Sequence, residues 1–193
     1  MLKYYKPKTI AEIGCNHKGD LQLAFDLIKL AKECGAGIAK FQKRNNKELL
    51  SEKQYNAPHP NPINSYGNTY GEHREYLEFN VQQHQQLKDF CENLDIEYST
   101  SVWDVTSATQ MSELNPRMLK VPSASNIHFD MLEILRDQYK GEVHISFGMT
   151  THKEEKKIID FFNTNGISKE RLIIYSCTSG YPVPFNDLCL LEI

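Results

Sequence analysis

Six times along the chain a short apolar run rich in β-branched residues is followed by a polar break and then by a segment of helical periodicity. No other feature limits the fold so sharply. The runs are TIAEIGC, GIAKFQ, IEYSTS, RMLKVPS, EVHISF and RLIIYSC. Between the first two, Leu21, Ala24, Leu27, Ile28, Ala31 and Cys34 recur on one face and predict a helix, with Asp20 as its N-cap and Gly35 as its C-cap. The same periodicity predicts helices from about Val81 to Leu94 and from about Thr151 to Thr164. Strands that alternate with helices are joined by crossovers and therefore run parallel, which defines an α/β fold with helices covering the sheet.

Two architectures fit that alternation. A doubly wound nucleotide-binding sheet places a glycine-rich phosphate loop after its first strand, whereas EIGCNHKGD offers only Gly14 and Gly19. A TIM (β/α)8-type barrel gathers its site from the C-terminal ends of its strands, and nearly every strand here ends in polar groups. The reading is an incomplete barrel, with about six strand-helix units where the architecture has eight. The stretch from Lys43 to Asn80 breaks the rhythm. Rich in Asn, Pro, Gly and Tyr, it reads as one long functional loop or lid carrying Tyr66, Tyr70, His73 and Tyr76.

Composition narrows the function classes. The 193 residues are 40% hydrophobic and 24% charged with a net charge of -3, which fits a globular protein and excludes a dedicated nucleic-acid binder. No apolar run approaches the roughly 20 residues that cross a bilayer, and MLKYYKPKTI has no signal-peptide core. The expected address is the cytoplasm, without a membrane partner. Cys15, Cys34, Cys91, Cys177 and Cys189 are scattered, with no C-x-x-C pair, and read as reduced thiols that mostly fill the interior.

The strand ends carry the chemistry. Glu12 sits between apolar neighbours, so it faces the barrel mouth or pairs with a cation. On the second strand Lys40 and Gln42 share one face, and Ala39 and Phe41 share the other. On the fourth, Lys120 stands close to Ser123. Two lysines directed into one mouth repel unless an anion lies between them, so a phosphate or carboxylate ligand is one reading and a pair of surface lysines is the other. Thr100, Ser146, Thr178, Ser179 and Tyr181 add neutral hydrogen-bonding groups. Asp104 reads as a helix N-cap and His144 as a satisfied interior histidine. No spacing of histidines or acids marks a metal site.

IAEIGCNHKGDLQLAFDLIKLAKECGAGIAKFQ resembles the opening of sialic acid synthases, whose pattern is I-A-E-I-G-x-N-H-x-G-D followed by G-A-x-x-x-K-F-Q. YGEHREYLEF, YSTSVWD, LKVPSAS, SFGMT and YSCTSGYPVP resemble further blocks of that family in the same order. The resemblance implies a synthase that condenses phosphoenolpyruvate (PEP) with an N-acylated hexosamine such as N-acetylmannosamine, releasing phosphate and forming a nine-carbon 2-keto acid. By motif position it implies Lys40 and Lys120 at the PEP carboxylate and phosphate, with Thr100, Ser123 and Ser146 assisting. Glu12 would meet the acceptor sugar, and Asn16, Gln42, Thr178, Ser179 and Tyr181 would line the substrate site.

Departures from the family pattern accompany the matches. Ser125 stands where many members have Glu, Ser179 where many have Asn, and Phe147 where many have Thr. The family also uses a divalent metal, Mn²⁺ or Mg²⁺, whose two histidine ligands lie in motifs expected beyond Ile193. It forms a homodimer through a C-terminal antifreeze-like domain that this sequence lacks. The expectation is the N-terminal part of such a synthase, residues 1–193, with little activity alone. The alternatives are a ligand-binding remnant without turnover and a related PEP-using deoxy-sugar acid aldolase.

Overall fold

A computed structural model describes residues 7–163, 171–180 and 182–189. Six strands appear where the apolar runs predict them: β1 Ile10–Gly14, β2 Ile38–Lys43, β3 Glu97–Val102, β4 Met118–Val121, β5 Glu142–Phe147 and β6 Leu172–Ser176. They follow chain order in a sheet that is not closed, and each pairing with a defined register, β1 with β2, β4 with β5 and β5 with β6, is parallel. The helices are α1 Leu21–Glu33, α2 Asn46–Leu49, α3 Glu52–Tyr55, α4 Tyr70–Leu77, α5 Val81–Asn93, α6 Val105–Leu114, α7 Phe129–Asp137 and α8 His152–Asn163. Two units divide the chain, Met1–Thr100 and Ser101–Ile193.

In the first unit, α1 begins where Asp20 accepts hydrogen bonds from the Gln22 and Leu23 amides, and it buries Ala24, Ile28 and Ala31. Each large aliphatic side chain withdrawn from water in this way contributes on the order of 1.5–3 kcal/mol. Cys34, expected on the same apolar face, is exposed because the helix ends at Glu33 and turns away. Of the five thiols only Cys91 is buried; Cys15 and Cys177 are partly covered, and Cys34 and Cys189 face solvent. All five are free, but the expectation that they mostly fill the interior is corrected to one.

The stretch between Lys43 and Asn80 is not a single loop. It folds into α2, α3, a 3-10 turn at Pro62–Asn64 and α4. Two capping boxes start the helices: Ser51 with Gln54 opens α3, and Thr69 with Glu72 opens α4. These are local signals in the sequence that the density of Asn, Pro and Gly obscured. A nearly dry ion pair pins both ends of the segment, with Arg44 Nε donating to Glu78 Oε1 at 2.5 Å and the Arg44 amide donating to Glu78 Oε2 at 3.1 Å. Breaking a buried pair of this kind costs about 3–5 kcal/mol. Gly19, at φ +77°, makes a second fastening, since a Cβ there would lie 3.1 Å from the Tyr76 ring and closer still to its carbonyl oxygen.

Polar side chains run through the layer between β3 and α5. Tyr98 shares a hydrogen bond with His84 Nδ1 at 2.7 Å, and the His84 Nε2 is buried without a hydrogen-bond partner. His17 stacks on Phe79 at 4.1 Å and accepts from the Gly19 amide. Burial lowers the pKa of His17 to about 4 and of His84 to about 3. In the second unit, Asp104 caps α6 through the Ser107 amide, as expected. Its core includes Leu119, Met131, Leu135, Ile145, Ile158 and Phe162.

The two depressed histidines set a pH dependence with a definite sign. Above about pH 6.5 they are neutral folded and unfolded; below it only the unfolded chain takes up their protons, so stability falls with pH from there toward about 4 for His17 and about 3 for His84. Each contributes a slope of at most about 1.4 kcal/mol per pH unit. Urea unfolding at pH 7.5, 6.0 and 5.0 is expected to show this decline, and His84→Gln is expected to flatten it. An unchanged slope in the variant would rule out His84 as a source.

Candidate functional site

In the first unit the strand register places Glu12 of β1 directly opposite Lys40 of β2, and their side chains form an ion pair. The alternation of β2 is as expected: Ala39 and Phe41 are fully buried, while Lys40 and Gln42 are partly exposed on the other face. Gln42 stands in the same neighbourhood: Glu12 Oε1 and Gln42 Nε2 lie 3.2 and 3.4 Å from the position a Cβ on Gly14 would take. The Lys40 side chain is 13% exposed and that of Glu12 48%. A pair this open to solvent contributes at most about 1 kcal/mol to stability, so its effect is chiefly to fix where the ammonium points.

Not every candidate of this unit joins that cluster. Asn16 is exposed in the turn after β1, its amide held by the Ile13 carbonyl. Thr100 is fully buried and hydrogen-bonded to the Tyr98 side chain. Two residues apart on one strand, the two share the face of β3 that packs against His84 of α5.

The second unit brings four candidates into one neighbourhood. Lys120 of β4 donates hydrogen bonds to Ser146 Oγ of β5 and to the Val121 carbonyl. Gly148, just past β5, is the meeting point of the loops that follow β4, β5 and β6. A Cβ there would lie 2.6 Å from Ser123 Oγ, 3.0 Å from Ser179 Oγ and 3.2 Å from the Cys177 Cβ. Thr178 flanks them, partly buried. Tyr181 lies outside the described residues.

Several residues of this neighbourhood escaped the sequence reading. Asn126 is 2% exposed, and its Nδ2 donates to the Ser146 carbonyl at 2.8 Å and the Gly148 carbonyl at 3.1 Å, tying the end of β5 to the loop after β4. Tyr175 of β6 lays its ring 5.0 Å from the Lys120 Nζ. Asn126 follows K-V-P-S-A-S directly, and Tyr175 alternates in register with the strand-end groups, but nothing in residue type alone marks either. Ser125 turns its hydroxyl to the Trp103 carbonyl at 2.9 Å and is structural. His144 is satisfied, as expected, between Tyr175 Oη at 2.8 Å and Glu142 Oε2 at 3.2 Å.

A lysine ammonium beside serine hydroxyls and loop amides can hold an oxyanion by charge-assisted hydrogen bonds. No metal fits what is present: among the described residues no three His, Cys, Asp or Glu side chains converge to form a ligand set. No helix among them is long and apolar enough to cross a membrane.

Comparison with known proteins agrees with the architecture and identifies its family. The model of the NeuB family matches residues 27–193. The chain therefore belongs to the NeuB family. It is 36% identical over 187 residues to the N-acetylneuraminate-9-phosphate synthase of Homo sapiens, covering 95% of this chain and 50% of that protein. It is 29% identical to the N,N'-diacetyllegionaminic acid synthase of Campylobacter jejuni, covering 96% of this chain and 55% of that one. The crystal structure of the sialic acid synthetase of Leptospira borgpetersenii, solved with citrate, superposes with a TM-score of 0.80 at 25% identity, covering 96% of this chain and 59% of that one. The fold is thus the TIM-barrel type α/β fold anticipated from the six units. The chain spans about half the length of the curated relatives it matches.

The crowding at Gly148 makes a direct test of the serine cluster. In Gly148→Ala the new methyl group displaces the Ser123 and Ser179 hydroxyls, which can rotate away, so the fold is retained. Backbone amide resonances of Ser123 and Ser179 are expected to shift while that of Ile38 stays in place. Unmoved serine resonances would mean that the three loops are not in contact.

Proposed function

We propose that the chain belongs to a PEP-dependent synthase that forms a sialic acid-type 2-keto acid, and that it supplies the groups that grip PEP. Carbon 3 of PEP attacks the aldehyde carbon of an N-acylated hexosamine, water adds at carbon 2, and phosphate leaves. The observation that carries this reading is the Lys120 ammonium fixed against Ser146, with the Ser123 and Ser179 hydroxyls gathered at Gly148 nearby. The membership of the NeuB family and the synthase names of the relatives support it.

In this reading Lys120, Ser123 and Ser146 bind one anionic end of PEP, and charge-assisted hydrogen bonds placed in advance stabilise the negative charge that develops as phosphate departs. By motif position Lys40 takes a PEP-binding role and Glu12, held by Lys40 in this structure, an acceptor-binding one. Gln42, Asn16, Thr178, Ser179 and Tyr181 take substrate-lining roles by motif position, whereas Thr100, buried against Tyr98, is left out of the reading. The divalent metal of the family has no ligand set among the described residues. A cytoplasmic address and a homodimer belong to the same proposal.

Isothermal calorimetry of PEP with the chain and with Lys120→Ala tests it. A hydrogen bond to a charged group is worth about 1.5–3 kcal/mol, so the variant is expected to bind roughly tenfold to a hundredfold more weakly. Equal affinities would remove Lys120 from the PEP site.

A further inference from the structure

We infer that Tyr175 is a positioning residue for Lys120: its ring forms the wall against which the ammonium rests, and His144 with Glu142 locks that ring in place. The inference deepens the proposed function and rests on its assignment of Lys120 to PEP.

The strand register sets up the arrangement. Lys120 is paired with His144 across β4 and β5, and Ser146 with Tyr175 across β5 and β6. His144 and Ser146 are two residues apart and share one face of β5, as do Glu142 and His144. Lys120 therefore starts one step nearer the N-terminal end than Ser146 and runs toward the C-terminal strand ends to reach its hydroxyl. Tyr175 starts level with Ser146 and leans the other way, its hydroxyl meeting His144 Nδ1 at 2.8 Å. The two side chains cross, and the Lys120 Nζ comes to lie 5.0 Å from the Tyr175 ring centroid. At that range a cation and an aromatic face attract.

The hydrogen-bond logic fixes the ring as well as its distance. An ionised carboxylate only accepts, so the His144 Nε2, 3.2 Å from Glu142 Oε2, carries a proton. The His144 Nδ1 hydrogen-bonds the Tyr175 hydroxyl at 2.8 Å. Glu142 is anchored in turn by the Arg117 guanidinium at 3.5 Å. Four side chains on three strands thus run from the N-terminal strand ends to the ammonium. A lysine has four rotatable side-chain bonds, and ordering it for an anion is entropically costly unless its neighbours confine it beforehand. Ser146 confines the ammonium by a hydrogen bond, and Tyr175 closes a second side.

The test uses the 193-residue chain with the lysine ε-carbons labelled, comparing wild type with Tyr175→Phe, Tyr175→Leu and Lys120→Ala. The Lys120 ε-CH2 protons are expected to resonate upfield of a free lysine through the ring current of Tyr175. That displacement is expected to persist in Tyr175→Phe, which keeps the ring, and to vanish in Tyr175→Leu. PEP affinity is expected to fall about threefold to tenfold in Tyr175→Leu and less in Tyr175→Phe. A Lys120 signal identical in wild type and Tyr175→Leu would overturn the inference, as would full PEP affinity in Tyr175→Leu when Lys120→Ala has lost it. If Lys120→Ala binds PEP like wild type, the assignment of Lys120 to PEP fails, and the inference that rests on it fails too. A preserved ring-current shift would then show that only the functional reading, and not the packing, was wrong.

Discussion

A parallel pair of strands cannot be closed by a tight turn, and this constraint governs the whole chain. Each strand must be followed by a crossover long enough to carry the chain back, and the crossover helix must hide one face of the sheet. The sequence satisfies both demands with short strands, capped helices and apolar residues such as Ala24, Ile28 and Ala31 spaced to meet the sheet. Because all registered strands point the same way, their C-terminal ends come to one edge within each unit, and the polar residues there are free to do chemistry. Glu12, Lys40 and Gln42 in the first unit, and Lys120, Ser123, Ser146 and Ser179 in the second, owe their grouping to strand direction before any pairwise contact.

The two groups use their lysines differently. Lys40 meets a carboxylate directly opposite in register, a simple charge pair with one side open to solvent. Lys120 has hydroxyl and carbonyl acceptors and an aromatic face beside it. An ammonium already paired with a carboxylate must exchange partners before it can take up another anion.

Much of the architecture is legible because it rests on period. Six apolar runs gave six strands, and the alternation in AKFQ correctly separated Lys40 and Gln42 from Ala39 and Phe41. Asp20 and Asp104 were readable as caps because capping is a local hydrogen bond. What stayed hidden depended on three-dimensional neighbours. Thr100 looked like a strand-end hydroxyl, but its position two residues from Tyr98 turns it toward α5. Tyr175 looked like one more aromatic residue of an apolar strand, and its relation to Lys120 requires the register across three strands. The segment after β2 misled for a further reason, since its helices are short and begin at capping boxes amid loop-like composition.

That segment is fastened at its margins and exposed at its crest. Arg44 and Glu78 close its two ends, Gly19 receives Tyr76, and the Tyr70 amide reaches the Ala57 carbonyl at 2.7 Å, while Ile63 at the crest stands 94% exposed. The span between Ala57 and Thr69 lies against α4, with the Tyr66 ring stacked on Tyr76 at 4.6 Å and the His59 ring 4.2 Å from that of His73. Any side chain at position 19 would meet the Tyr76 carbonyl oxygen and unseat that margin, so the glycine there sets where the segment returns to the turn after β1.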